Sequence, residues 1–105
     1  MQPAQSGEVW LIDLGLAAKV RPCLVLSRHP SPYELALIVV VPHTTSARGN
    51  RWEFSASVPF LQPGVFHLQQ IRSAPVPNLI RKMGVLPTEV FVNLKARLVR
   101  ELELL

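Results

Sequence analysis

Apolar and β-branched residues are concentrated in short segments that proline, glycine or polar clusters separate. Residues 8–14 (EVWLIDL) are aromatic and β-branched, which favours a strand. Residues 23–27 (CLVLS) predict a second strand, which Arg21-Pro22 opens. Proline fits there, because the first residue of a strand is one of the few strand positions that it tolerates. Residues 35–41 (LALIVVV) are apolar throughout and predict a central strand, buried on both faces and ended by Pro42.

The second half of the predicted sheet begins after a polar loop. Residues 43–51 (HTTSARGNR) combine hydroxyl, glycine and basic residues and predict that loop. Residues 52–58 (WEFSASV) alternate large apolar with polar residues, which predicts a strand with one face in solvent. Residues 65–73 (VFHLQQIRS) predict a further strand after the proline-glycine turn at 63–64.

The C-terminal segment changes to a helical period. Its apolar residues recur at spacings of three, four, four and three, the stripe of an amphipathic helix: Phe91, Leu94, Leu98, Leu102 and Leu105. Pro87 suits the first helical turn, so the helix is predicted over residues 87–103. Several short strands and one terminal helix predict a mainly β (α+β) fold, a small β-barrel closed or flanked by that helix.

Composition limits the classes of protein to which the chain can belong. Its 105 residues fit one domain, with a core over about residues 7–103, and 49% hydrophobic against 17% charged residues excludes a solvated, disordered chain. Eleven Lys and Arg against seven Asp and Glu give a net charge of +4, which favours polyanionic partners such as nucleic acid. The single cysteine, Cys23, excludes a disulfide within the chain and a multi-cysteine zinc site.

The sequence carries no signal for a membrane or for export. Its longest apolar run, residues 35–42, is much shorter than the roughly 20 residues that a spanning helix needs. The first ten residues contain Glu8 and no lysine or arginine, unlike a secretory signal. A cytosolic protein is therefore expected, located in the cytoplasm.

Basic residues form two candidate sites. Arg48 and Arg51 lie beside Trp52, and guanidinium groups next to an aromatic ring suit single-stranded nucleic acid. A solvated hairpin followed by a core tryptophan fits the same three residues. Arg21 precedes a buried strand, where a fixed guanidinium can hold a phosphate or stabilise charge on it, and an ordinary arginine at a strand edge fits equally.

Hydroxyl groups form a third candidate site. Thr44, Thr45 and Ser46 follow the predicted central strand, where they are placed to orient a substrate or to bond to their own backbone. His43 is not expected to form a hydrolase pair with Thr44, because neighbouring strand residues point to opposite faces. The chain's three histidines lie in three different segments, so no metal site is predicted.

Taken in order, these segments resemble the MazF/PemK/Kid toxin family. Residues 7–14 (GEVWLIDL), 21–27 (RPCLVLS), 40–45 (VVPHTT) and 70–73 (QIRS) match, in order, its G-(D/E)-(I/V)-W-x-(V/I)-(D/N) opening, its R-P-x-(L/V)-V strand, its V-V-P-x-T-S strand end and its D-Q-(I/P)-R-(T/S) strand. Residues 82–86 (KMGVL) are similar to the family's K-x-G-x-L entry to its last helix. The resemblance covers nearly the whole chain.

This resemblance implies an SH3-like barrel, a homodimer and a metal-independent, cofactor-free endoribonuclease, an mRNA interferase that cuts single-stranded RNA at short sequences without the ribosome. It also implies a cognate antitoxin whose disordered acidic segment occupies the RNA groove. The family's catalytic arginine and threonine correspond to Arg21 and Thr44, with Thr45 in the position of the following serine. Arg21 is expected to hold the scissile phosphate or to move a proton, and Thr44 to donate a hydrogen bond to that phosphate.

The remaining site residues are expected on the loops and strand ends around these two. His67 stands where some members of the family carry arginine, and it is predicted to transfer protons, with a structural role as the alternative. The residues assigned to RNA binding are Lys19, Thr45, Ser46, Arg48, Arg51, Gln69 and Gln70.

Two departures from the family leave other functions open. The loop over residues 14–20 is shorter than usual and lacks the family's Gly-x-Glu-Gln segment, and Gln69 replaces an acidic residue of some members. A catalytically inactive RNA-binding relative is therefore one alternative. A CcdB-like gyrase-binding toxin is another, although CcdB acts through C-terminal residues that include a tryptophan, and this chain ends in Leu-Glu-Leu-Leu.

Overall fold

The computed structural model describes residues 3–17 and 19–105. Across these residues the chain forms antiparallel strands followed by one C-terminal helix, so the predicted mainly β fold with a terminal helix is confirmed. The strands are β1 (Glu8–Asp13), β2 (Val20–Val25), β3 (Leu37–Thr44), β4 (Glu53–Ser55), β5 (Val65–His67), β6 (Arg72–Pro75) and β7 (Leu79–Val85), and the helix is α1 (Thr88–Glu101). No helix in this part of the chain is long and apolar enough to cross a membrane.

The sheet is organised around β3. Hydrogen bonding orders the strands β4-β5-β3-β2-β1-β7, and β6 also pairs with β3. β3 therefore has three partners and is the central strand, as its unbroken apolar run predicts. Within the described ranges no hydrogen-bonded ladder joins β4 or β6 to β7. The sheet is therefore not closed into the barrel that the sequence predicts.

β3 continues through Pro42 to Thr44, so the prediction that Pro42 ends the strand is wrong. On one side, the ladder with β2 ends at Cys23 opposite Pro42. On the other side, β6 pairs with residues 37–40 and β5 with residues 43–44. Pro42 thus lies where β3 exchanges one partner for another, a position at which the missing N–H of proline is tolerated.

The strand predicted over residues 65–73 is also wrong in one respect, because a 3-10 turn at Leu68–Gln70 divides it into β5 and β6. Leu68 anchors this turn. Its side chain is fully buried, and its N–H donates to the carbonyl of Trp52 at 2.7 Å. The two glutamines of the turn consequently face solvent at the end of β5.

Two further strands differ from the prediction. Only Glu53–Ser55 of the segment predicted over residues 52–58 pairs as a strand, and β7 was not predicted. β7 contains Lys82 and Gly84 and lacks a regular alternation of apolar and polar residues. It pairs with β1 alone, with two shifts of register, so it is an edge strand for which a strict pattern is not required.

The helix lies within its predicted range, and its apolar stripe covers one face of the sheet. Leu94 is fully buried and Leu98 nearly so, while Phe91 packs at the margin of the same cluster. Full burial of one leucine stabilises the fold by about 2 kcal/mol. Leu102 and Leu105 lie beyond the end of α1 and are exposed, so the predicted stripe is longer than the buried one.

Side chains that alternate along the strands enter two separate buried clusters. Leu24 and Val41 pack with Leu94 beneath α1. The cluster on the other face contains Ala4, Trp10, Ile12, Leu14, Cys23, Val25, Ile38, Val40, Ala74 and Leu79. Burial raises the pKa of the Cys23 thiol to about 12, so this cysteine is an inert core residue at neutral pH.

Candidate functional site

Strand register places Arg21 and Thr44 on the same face of the sheet. The β2–β3 ladder pairs Cys23 with Pro42, and continuing this antiparallel register by two residues brings Arg21 opposite Thr44. β1 supports Arg21 from the other side, where Ile12 is its register partner. Because Ile12 is fully buried, the backbone that carries Arg21 is fixed by the core.

His67 joins the same face through β5. The β3–β5 ladder pairs His43 with Phe66 and Thr44 with Val65, so the next residue, His67, falls opposite Pro42. Residues two apart on a strand share a face, which places His67 with Thr44 and therefore with Arg21. Nδ1 of His67 is buried and has no hydrogen-bond partner among the described residues.

These three side chains line one cleft of about 520 Å³ at the end of β3. The complete lining is Arg21, Pro42, His43, Thr44, Thr45, Ser46, Arg48, Asn50, His67, Gln69 and Gln70. Arg21 also lines the two adjoining clefts, one largely apolar and one that contains Arg72, so it stands where the three meet. Cationic, hydroxyl, imidazole and amide groups thus converge on a single concave surface.

Most of the residues assigned to RNA binding lie in this cleft, and two lie outside it. Thr45, Ser46, Arg48, Gln69 and Gln70 are part of the lining, whereas Lys19 and Arg51 are not.

The two outlying residues have local roles. Lys19 has a positive φ of 62° and donates its N–H to the carbonyl of Gly15, which closes the β1–β2 turn. Arg51 is exposed and pairs with Glu101 at the end of α1, at 3.8 Å between Nε and Oε1. A surface pair of this kind contributes about 0–1 kcal/mol to stability.

Trp52 does not line the cleft. It is partly buried and packs against the cluster beneath α1. The backbone N–H of Trp52 donates to Oδ1 of Asn50 at 3.0 Å, and this hydrogen bond closes a tight turn before β4. Of the two interpretations of residues 48–52, the hairpin with a core tryptophan fits the position of Trp52, while Arg48 alone of the two arginines faces the cleft.

His43 lies on the opposite face from Thr44, as the strand alternation predicts. Its ring meets Phe66 edge-on, with centroids 5.1 Å apart, and it is only 3% exposed. Burial lowers the pKa of His43, so the imidazole is neutral at pH 7. Gly64 packs so closely against this ring that a Cβ at residue 64 would lie 2.9 Å from Cε1 of His43. His43 therefore contributes a buried, neutral side chain to the inner wall of the cleft.

Glu53 is a functional candidate that the sequence pattern does not reveal. The alternation of residues 52–58 assigns it to a solvent face, yet it is buried and its carboxylate accepts the backbone N–H groups of Arg48, Gly49 and Asn50. These donors, that of Arg48 first, lower the pKa of Glu53, so it is a carboxylate at neutral pH. The spacing of Asn50 and Glu53, an asparagine followed three residues later by glutamate, is the available signal, since this pattern is typical of backbone capping.

In the described part of the chain, no three His, Cys, Asp or Glu side chains form a cluster that could hold a metal ion.

Comparison with protein families identifies a match over nearly the whole chain. Residues 5–102 match the model of the PemK-like, MazF-like toxin of type II toxin–antitoxin systems. No curated protein matches the chain at a significant level.

Solved structures with the same fold include toxins and their complexes. An endoribonuclease in complex with its cognate antitoxin, from a mycobacterial species, has 20% identity and a TM-score of 0.80, covering 97% of this chain and 97% of its own. A MazE–MazF complex from Deinococcus radiodurans has 21% identity and a TM-score of 0.78, covering 99% and 100%. A structure described as Mtb toxin has 28% identity and a TM-score of 0.71, covering 88% and 97%. The agreement in fold extends over the strands that carry the cleft.

Proposed function

Because the chain belongs to the PemK-like, MazF-like toxins of type II toxin–antitoxin systems, we propose that it is an endoribonuclease that cleaves single-stranded RNA without a metal ion or cofactor. The observation that carries this proposal is the cleft in which Arg21, Thr44 and His67 share one face of the sheet. Each of these groups suits one requirement of phosphodiester cleavage.

The proposed reaction uses the 2′-hydroxyl of the substrate as its nucleophile. A bond forms from the 2′-oxygen to the adjacent phosphorus, and the bond from phosphorus to the 5′-oxygen of the next nucleotide breaks. The 2′-hydroxyl loses a proton, the departing 5′-oxygen gains one, and extra negative charge develops on the phosphate oxygens. A positioned cation and a hydrogen-bond donor are the groups that lower the energy of such a transition state.

Arg21 and Thr44 fit these two roles. A guanidinium group is a cation throughout the physiological pH range and can bond to two phosphate oxygens at once. It is therefore suited to hold the phosphate and a poor acceptor of a proton. Thr44 lies beside it, and its hydroxyl can donate one hydrogen bond to the same phosphate.

His67 is the candidate for proton transfer. Imidazole is the side chain that titrates between about pH 5 and 8, so it can both accept and release a proton near neutrality. Gln69 cannot titrate and is assigned to binding RNA, with Gln70, Thr45, Ser46 and Arg48.

The match to a toxin family of type II toxin–antitoxin systems supports two proposed partners. We propose a homodimer and a cognate antitoxin whose acidic segment occupies the basic cleft in place of RNA. The net charge of +4 favours both polyanions. We also propose that the protein acts in the cytoplasm, where messenger RNA is its substrate.

Incubation with a long single-stranded RNA tests the proposal. We expect discrete fragments in the presence of a chelator, and protection of the same RNA when it is annealed to its complement, because the reacting nucleotide must leave the stacked helix to align its 2′-oxygen. The matched control for contaminating nucleases is Arg21→Ala, purified identically, which should leave the RNA intact. Binding without cleavage would favour the inactive relative that the loss of an acidic residue at Gln69 leaves open.

A further inference from the structure

A buried carboxylate beside a basic cleft requires a physical explanation, because it opposes the phosphate that the cleft is suited to hold. Glu53 is such a group: it is only 8% exposed, and it lies on β4 opposite His67 of β5. We propose that Glu53 is a positioning residue that holds the loop at residues 48–50 in the shape that presents Arg48 to RNA. This inference rests on the proposed RNA-binding function of the cleft.

The hydrogen bonds of Glu53 converge on consecutive backbone groups. Oε2 accepts the N–H of Arg48 at 2.8 Å, and Oε1 accepts those of Gly49 at 2.6 Å and Asn50 at 3.4 Å. Gly49 has a φ of +81°, a conformation that glycine adopts without strain. Three successive N–H groups that face one anion form a backbone nest, and here the anion belongs to the protein itself.

Separate hydrogen bonds close the turn that follows. The N–H of Glu53 donates to the carbonyl of Asn50 at 3.2 Å, and that of Trp52 donates to Oδ1 of Asn50 at 3.0 Å. The turn at residues 50–53 therefore does not depend on the carboxylate. The backbone of Arg48 and Gly49 belongs to no strand or helix, so the carboxylate is its principal anchor in the hydrogen bonding of this loop.

This arrangement neutralises the conflict between Glu53 and RNA. The charge of the carboxylate is taken up by the three backbone N–H groups, that of Arg48 first, and these donors lower the pKa of Glu53. The net effect is a fixed loop whose guanidinium, from Arg48, joins that of Arg21 in the lining of the cleft.

Loss of the Glu53 carboxylate should therefore weaken RNA binding without slowing the cleavage step. Glu53→Gln keeps the size of the side chain and replaces one acceptor oxygen with an NH₂ group, which cannot accept the N–H of the loop. We expect RNA affinity to fall about tenfold, the loss of one ordered phosphate contact. KM should rise accordingly, and kcat should stay within about twofold, because Arg21, Thr44 and His67 are unchanged.

Salt dependence and a double mutant make the test specific. On single-stranded RNA, the slope of log affinity against log salt concentration should decrease in magnitude by about 0.7 in Glu53→Gln, the value for one phosphate contact. Arg48→Ala should produce the same decrease. The double variant should show no further change, because both substitutions remove the same contact.

Glu34→Gln is the matched control. Oε1 of Glu34 also accepts a backbone N–H, that of Ser31 at 2.8 Å, in a loop that lines a different cleft. This variant should bind RNA with the affinity and salt slope of the unmodified protein. If Glu53→Gln does not fold, Glu53→Asp keeps the charge on a shorter side chain and should show a smaller change of the same kind.

Unchanged RNA affinity and salt slope in Glu53→Gln, or additive losses with Arg48→Ala, would overturn the inference. Amide hydrogen exchange separates this result from failure of the proposed function. If the unmodified protein does not bind RNA, the proposed function fails, and faster exchange at residues 48 and 49 in Glu53→Gln still tests the anchoring of the loop. Unchanged exchange at these two amides would then exclude the anchoring role as well.

Discussion

Arg21→Ala should lower the rate of RNA cleavage by at least about 10³-fold, the size of effect that an arginine on a transferred phosphoryl group contributes. Arg21 lies at the start of β2, where three clefts meet. Its side chain is partly exposed, so its removal leaves no cavity in the core. The free energy of unfolding should change by less than about 1 kcal/mol. Single-turnover cleavage and thermal unfolding measure the two quantities.

Three comparison variants identify what Arg21 contributes. Arg28→Ala removes an exposed arginine beyond the other end of β2 and should cleave at the rate of the unmodified protein. Arg21→Lys retains a positive charge without the planar fork and should recover only part of the activity. Thr44→Ala removes one neutral donor and should cost about tenfold, far less than Arg21→Ala. Equal rates for Arg21→Ala and Arg28→Ala would show that the catalytic centre lies elsewhere.

His67→Gln should lower the rate at the pH optimum by about 10²-fold, the lower end of what general acid–base catalysis contributes. The rate of the unmodified protein should fall on both sides of an optimum near neutrality, and one limb of the profile should depend on His67. Glutamine retains a polar side chain and cannot titrate, so this limb should flatten. RNA affinity and thermal stability should stay nearly unchanged.

His29→Gln is the control for this experiment. His29 lines the separate cleft at the far end of β2, and its replacement should leave the pH profile unaltered. If His67→Gln cleaves at the unmodified rate with the same profile, His67 is a structural residue. Arg21 would then act with substrate groups and water alone.

The parts of the site that follow from local sequence could be predicted. Arg21 and Thr44 stand at the ends of two apolar strands, and antiparallel pairing of those strands brings such ends together. The histidine and glutamines at residues 67–70 are assigned through the resemblance to the toxin family, some members of which carry arginine and an acidic residue at positions 67 and 69.

The remaining features depend on contacts between distant segments. The 3-10 turn that divides β5 from β6 is stabilised by burial of Leu68 and by its bond to Trp52, which no local pattern expresses. The position of Arg51 depends on where the end of α1 places Glu101. Glu53 looks like a solvent-facing residue in an alternating strand, and only the fold of the loop before it turns its carboxylate inward.

Pro42 also shows that a rule based on local sequence can fail when strand pairing decides the outcome. Pro42 ends a strand by its local rule, because it cannot donate a backbone hydrogen bond. In the structure it lies between the segments of β3 that pair with β6 and with β5, where the rule has no consequence. Thr44 owes its position in the cleft to this continuation of β3.

The most direct test of the account is the chemistry of the cleaved ends. A short single-stranded RNA that the protein cuts should be compared, in excess chelator, with the same RNA carrying one 2′-deoxynucleotide immediately 5′ to the scissile phosphate. We predict that the unmodified RNA yields a 2′,3′-cyclic phosphate or 3′-phosphate and a 5′-hydroxyl, and that the deoxy-substituted RNA stays intact at that site, because its nucleophile is missing. Cleavage of the deoxy-substituted RNA, a 5′-phosphate product or a requirement for Mg²⁺ would contradict the proposed mechanism.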